Sequence, residues 1–431
     1  MKSNFQIIVL GVFIGFAVLG VILFSTYRGA GTSGEQIGSV VIWGTVDREA
    51  FDVFLGEARQ GRTDLAGVRY EEKDPGSYSE ELTEAIASGR GPDLFILPQD
   101  LIVSRAGVIQ PISYDRMSAR SFRDTFVQEG ELYLIPDGIL GVPLSVDPLI
   151  LYYNRNILST AGVASVPKYW DEFFAVTPKI VVRDRAGNIL RSAVSLGEFR
   201  NVTHAKDILA TLILQAASVG ATGGNAFPMA GISADTAAVE AAVRYYTEFS
   251  NPVKTVYSWN RALKNSRAAF TAGELAFYIG YASELAGVRA ANPNLDFDIA
   301  PVPQSRDRRA ALVYGRMSAL SIARGAQNPV GAALAALALT DGSTVGHFVA
   351  ATRAVPARRD LLTARPDNPY SGILYDAALA SRGWFDPDPA ESTLVFSSLV
   401  ETVTSGRGGI SDAVRTASEE LSALMDTRTE E

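Results

Sequence analysis

Residues 7–24 (IIVLGVFIGFAVLGVILF) form an unbroken apolar run with no charge and no proline. Such a run of about 18 residues makes a helix of roughly 27 Å, close to the hydrocarbon thickness of a bilayer. No comparable run occurs in the rest of the 431 residues. The chain therefore reads as one membrane tether carrying a large water-soluble body. A secretory signal peptide is the competing reading, but its apolar core is usually shorter and small residues mark its cleavage site. The stretch after the run, Ser25-Thr26-Tyr27-Arg28-Gly29-Ala30-Gly31, has no clean A-x-A pattern. A buried soluble helix would carry polar residues on one face, and this run has none. Residues 1–6 are too few to hold a domain, so a signal anchor places the body on the extracytoplasmic side. Residues 29–38 (GAGTSGEQIG) read as a flexible spacer.

Composition narrows the function classes. With 47% hydrophobic and 20% charged residues the body is globular, with room for two lobes. A net charge of −8 argues against nucleic acid. The absence of cysteine removes disulfides, thiolate metal sites, thiol nucleophiles and a lipid-bearing cysteine anchor. The two histidines, His204 and His347, are too few and too far apart in sequence for a His-based zinc site. Phosphate-loop, nucleophile-elbow and zinc-protease patterns are absent from the sequence. Neither a metal nor a cofactor is expected, and an enzyme is not.

The pattern of elements is α/β. A short β run at 39–43 (SVVIW) leads through a turn to a helical pattern at 50–58, with Asp47 available as its N-cap. A second strand is expected at 68–73. Ser77 and Glu80 then read as a capping box opening a helix to Ala87. A third strand at 94–97 (LFIL) ends near Asp100. Alternation of this length indicates a parallel sheet with covered faces, and ligands of such sheets sit beyond the carboxyl ends of the strands. Residues 141–154 (GVPLSVDPLILYYN) are β-prone around Pro148, which suits an edge or a crossing between lobes. Later segments read as helices at 206–218, 237–249, 262–271, 329–339 and 410–425, with strands at 275–279, 297–302 and 312–323.

Taken in order, VVIWGTVD at 40–47, SGRGPDLFILPQD at 88–100, LGVPLSVDPLILYYNRNIL at 140–158, PKYWDEF at 167–173, AAFTAGELAFYIG at 268–280, FDIAPVP at 297–303 and ALTDGSTVG at 338–346 resemble the extracellular solute-binding proteins of family 1. These are the sugar-binding subunits of ATP-binding-cassette (ABC) importers, with maltose-binding protein as type member. The resemblance implies a two-lobe clamshell of the type II periplasmic-binding-protein kind, here with an N-terminal transmembrane helix. It implies lobe one at 38–147 with 302–342, and lobe two at 148–301 with 343–431, after an anchor and spacer at 1–37. It implies a carbohydrate in the cleft between lobes and an ABC permease as partner. A tether to the membrane would keep receptor and permease together and raise their effective concentration.

The resemblance aligns Asp47, Asp100 and Asp147 with cleft positions. Carboxylates accept hydroxyl protons and aromatic rings cover the C–H faces of sugars, so both residue types suit such a site. From the residues alone, Asp47 and Asp100 are equally helix N-caps. Tyr78, Tyr257, Trp259, Tyr281 and Tyr314 are the candidate stacking rings, each also readable as core. Arg316 falls on a cleft-lining segment and is otherwise a salt-bridge residue. Asn201, His204 and the pair Trp384-Phe385 complete the candidates. Where the type member carries two stacking aromatics this chain has Ser283 and Thr393, which counts against a maltodextrin ligand. Rival readings are a tethered sensor without transport and a binding module for a peptide, polyol or anion. A glycosidase would need an eightfold βα pattern of the barrel type, which the chain lacks.

Overall fold

The computed structural model describes residues 36–217, 236–306, 310–364 and 369–430. The expected membrane span at 7–24 and the glycine-rich turn at 220–225 lie outside them. Among the described residues no single helix is long and apolar enough to cross a membrane.

The strands that organise the molecule are β1 (Val40–Gly44), β2 (Val68–Glu72), β3 (Leu94–Pro98), β4 (Val142–Asn154), β5 (Ile189–Val194), β6 (Leu275–Tyr281), β7 (Phe297–Ala300), β8 (Val313–Ala323), β9 (Val355–Pro356) and β10 (Ser381–Arg382). The main helices are α1 (Arg48–Gly61), α2 (Tyr78–Ala87), α3 (Ala205–Ala217), α4 (Thr236–Glu248), α5 (Pro329–Leu339), α6 (Gly342–Thr352), α7 (Pro389–Thr404) and α8 (Ile410–Glu430). The sheet runs β2-β1-β3-β8-β4-β6-β5. The first three strands are mutually parallel, and β8 pairs antiparallel with both β3 and β4.

β4 changes partners along its length. Residues Val142 to Pro148 pair with β8, whereas Leu149 to Tyr153 pair with β6. One long strand thus belongs to both halves of the molecule, and the changeover falls at Asp147–Leu149. β8 faces this point with Arg316 opposite Asp147 and Gly315 opposite Pro148. β10 adds Ser381 and Arg382 beside Val313 and Tyr314. Pro148 lacks an amide hydrogen, and such a residue is tolerated where ladder bonding changes hands.

Each half covers its sheet with helices. In α1 the residues Phe51, Phe54, Leu55 and Ala58 recur at helical spacing and are buried, while Asp47 caps the helix by accepting the Ala50 amide at 2.9 Å. In the second half α3 buries an unbroken run from Asp207 to Gln215, which marks a helix packed on all sides. The same half holds an aromatic cluster of Phe173, Tyr245, Phe249 and Phe277, with contacting ring centroids 5.2–6.4 Å apart.

Three expectations are corrected. The third boundary between lobes, expected at 342/343, is too early. Phe348 of α6 packs edge-on against Phe51 and Phe54 of α1 at 6.2 and 5.3 Å, and β9 pairs with Ser145 and Val146, so this segment joins the first half. Ser77 makes no cap bond to α2, because its hydroxyl turns to Glu81 instead. The helix expected at 262–271 begins only at Ser266, where Asn265 caps it.

Candidate functional site

The changeover point carries a cluster of charged groups drawn from both halves. Asp147 stands on β4, where its carboxylate accepts the Ser283 amide at 2.9 Å and the Ser283 hydroxyl at 2.6 Å. Ser283 follows the carboxyl end of β6, so this pair ties the crossing strand to the second half. Burial raises the Asp147 carboxyl above its ordinary range, and the Ser283 bonds and the Arg316 charge offset only part of that.

Arg316 projects from β8 and is about half exposed. Its guanidinium lies 4.3 Å from the Tyr281 ring centroid and donates to Asp207 at 2.8 Å. Tyr281 donates its own hydroxyl to the same Asp207 carboxylate at 2.7 Å. Asp207 sits in the first turn of α3, where the helix dipole favours an acid. His204, just before that helix, presents its ring edge to Tyr281 and brings Nε2 to 2.7 Å from Glu284. It does so with φ at +61°, a left-handed backbone that a non-glycine residue adopts at some cost. Glu284 is further held by Tyr278 at 2.8 Å and Arg267 at 3.2 Å. Arg316, Tyr281, Asp207, His204 and Glu284 therefore form one continuous polar network, in which Arg316 of β8 reaches from the first half to groups of the second.

Asp100 approaches from the first half, in the short 3-10 turn Gln99–Leu101 beyond the carboxyl end of β3. No side chain among the described residues hydrogen-bonds its carboxylate. Burial raises its pKa; Asp386 and Asp207 add to this, and Arg316 and Lys206 oppose it. Lys206 is committed elsewhere, to Asp386 at 2.6 Å and Ser392 at 2.8 Å. The charges thus pair as Arg316 with Asp207 and Lys206 with Asp386. Among the described residues Asp100 and Asp147 have no ion-pair partner, so the cluster carries surplus acceptors at the changeover and on its first-half side. Such groups suit a solute that offers hydroxyl or amine protons.

Of the residues expected from sequence, Asp100, Asp147, His204, Tyr281 and Arg316 come together here, and Tyr314 is buried next to them. Others do not join them. Tyr78 is buried and donates to the carbonyls of Ile96 and Trp43, fastening α2 to the sheet. Trp259 is fully buried and donates to Asn201. Neither ring offers a face to a solute, because each is enclosed by its own lobe. Tyr257 lies under Arg183, away from the cluster. Asp47 acts as an exposed N-cap, and its hydrogen bond stays local. Trp384 is fully buried, with the Lys206 ammonium 5.7 Å from its ring centroid. Asp207, Lys206, Asp386 and Gln99 were missed. The sole signal for Asp207 is an acid in the first turn of an otherwise apolar helix.

The fold is the two-lobed α/β fold of periplasmic-type binding proteins. Residues 57–365 match the family described as bacterial extracellular solute-binding protein, and the chain belongs to that family. Solved structures share the fold across nearly the whole length. A cyclo/maltodextrin-binding protein complexed with maltotetraose superposes with a TM-score of 0.72 at 16% identity, covering 92% of this chain and 99% of that one. UgpB from Mycobacterium tuberculosis, in complex with glycerophosphocholine, gives 0.68 at 18% identity over 91% and 99%. The GacH receptor of Streptomyces glaucescens, solved unliganded and with acarbose, gives 0.66 at 16% identity over 90% and 98%. A protein of Brucella abortus is 29% identical over 107 residues, 23% of this chain and 25% of that protein. The match therefore spans only a quarter of that curated relative.

Proposed function

We propose that this chain is the membrane-anchored, extracytoplasmic receptor of an ABC importer and that it binds a carbohydrate between its lobes. The observation that carries the reading is the convergence of Asp100, Asp147, Asp207, Tyr281 and Arg316 on the strand changeover. A solute held there touches both lobes and the segments that join them, so binding stabilises the closed arrangement. The closed form would then be presented to the permease. Two surplus carboxylates favour neutral hydroxylated solutes over anions. The single guanidinium, already spread over Tyr281, supplies a flat donor surface in place of an open aromatic platform. The apolar run at 7–24 supplies the anchor, with the body outside the cytoplasm.

Thermal unfolding of the protein against a panel of mono- and oligosaccharides tests this, with peptides, phosphate and divalent metals as controls. A solute at 100 times its Kd stabilises by about 2.7 kcal/mol, a readable shift. A rise confined to one sugar class is the expected result. A rise with peptide or phosphate and none with sugars would overturn the carbohydrate assignment.

A further inference from the structure

Glu129 is absent from the binding network, yet it occupies the pivot. It lies in the short 3-10 helix Gln128–Tyr133 and is fully buried. Neither carboxylate oxygen makes a well-aligned hydrogen bond, and the buried Ser381 hydroxyl beside it makes none either. The Gln99 amide also faces it, but is already committed to the Gly315 carbonyl at 2.6 Å and the Met317 amide at 3.2 Å. Oε2 packs so closely on β8 that a Cβ added at Gly315 would stand 2.6 Å from it.

The charges around Glu129 do not neutralise it. Arg382 of β10 is near, but its guanidinium donates to Gln128 and to the Ser381 carbonyl. Asp147 of β4 adds a like charge. Arg316 of β8 is held by Asp207, and Arg123 of the neighbouring helix (Ala119–Thr125) is held by Glu131. The Tyr133 hydroxyl donates to the carbonyls of Leu97 and Met317. An ionised carboxylate in such a site costs several kcal/mol unless it is paired, so the neutral form is favoured. Burial accordingly pushes the Glu129 carboxyl up to about 7, against the weaker pull of Ser381 and Arg382.

We propose that Glu129 is a positioning residue that makes lobe closure proton-dependent. When neutral it is accommodated in the dry packing of β4, β8 and β10 at the changeover. When ionised it draws water into that packing and loosens the seam, which displaces Gln99 and, with it, the adjacent Asp100. A group whose pKa is raised in the folded protein stabilises fully below its ordinary pKa, and that stabilisation is lost as pH rises through the raised value. Glu129 is dry in the closed arrangement and hydrated in the looser one, so the same linkage applied to closure weakens it as pH rises through about 7. The effect on solute affinity rests on the cleft reading given above. A one-unit difference in the Glu129 pKa between open and closed arrangements would make about a tenfold change in affinity.

The chain has no cysteine, so spin labels can be placed cleanly at Glu57→Cys on α1 and Glu420→Cys on α8. In the full chain in detergent micelles, without any solute, the label–label distance by pulsed electron resonance should be short at pH 5.5. It should lengthen or broaden at pH 8.5, with a midpoint near 7. Glu129→Gln should keep the short distance at both pH values. Ser381→Ala, which removes the hydroxyl that favours the charged form, should move the midpoint upward. A distance unchanged with pH in the parent protein, or a change that persists in Glu129→Gln, would overturn the proposal. The measurement needs no solute, so it stands or falls apart from the carbohydrate reading.

Discussion

Arg316 shows how one side chain does several jobs at the cleft. It covers the Tyr281 ring, binds Asp207 and faces Asp147 across the strand pair. Lysine would keep the charge but lose the flat contact and the planar donor fork. A cation–π contact of this kind is worth about 0.5–2 kcal/mol. Arg316→Lys should therefore weaken solute binding by roughly twofold to thirtyfold, read by calorimetric titration, while leaving the fold intact. Unchanged affinity would remove Arg316 from the site. Asp100 and Tyr281 were legible at the ends of strands, whereas Asp147 and Arg316 stand within β4 and β8 and were pointed to by the family resemblance. Glu129 and Asp386 were not legible, since both sit in segments of irregular pattern and only the three-dimensional packing buries them. Tyr78 and Trp259 misled for the converse reason: a tyrosine or tryptophan in a polar stretch reads as exposed until its hydroxyl or indole nitrogen is seen bonded inside the core.

At the scale of elements, β4 and β8 decide the architecture. Their pairing joins the halves, and Gly315 is required where they meet. A Cβ there would collide with the Ser381 hydroxyl and the Glu129 carboxylate. Overpacking of this sort costs typically 1–3 kcal/mol. Gly315→Ala should lower denaturant stability by about that amount and perturb closure more than a surface substitution would. Wild-type stability and closure in that variant would show that the seam is looser than described. The α1–α6 contact is the other informative element. Phe348→Ala removes a buried ring packed against both Phe51 and Phe54 and should cost about 3–5 kcal/mol in urea unfolding. A loss below about 1 kcal/mol would return α6 to the second half, where the sequence reading had placed it. Strand and helix positions were largely readable from periodicity. The assignment of α6 was not, because which half a helix joins depends on a ring packing on distant partners.

For the whole molecule, the central claim is that solute binds at the changeover and draws the two lobes together. The direct test is calorimetric titration of the sugar selected by the thermal panel into three proteins: the parent, Asp147→Ala and Asp100→Asn. Asp147→Ala also breaks the tie to Ser283, whereas Asp100→Asn disturbs no side-chain hydrogen bond among the described residues, so the pair separates solute contact from damage to the hinge. Hydrogen bonds to charged groups contribute about 1.5–3 kcal/mol each. One-site binding to the parent, weakened at least tenfold in both variants, is the predicted result. Binding of equal strength in all three proteins would place the solute elsewhere and contradict the account.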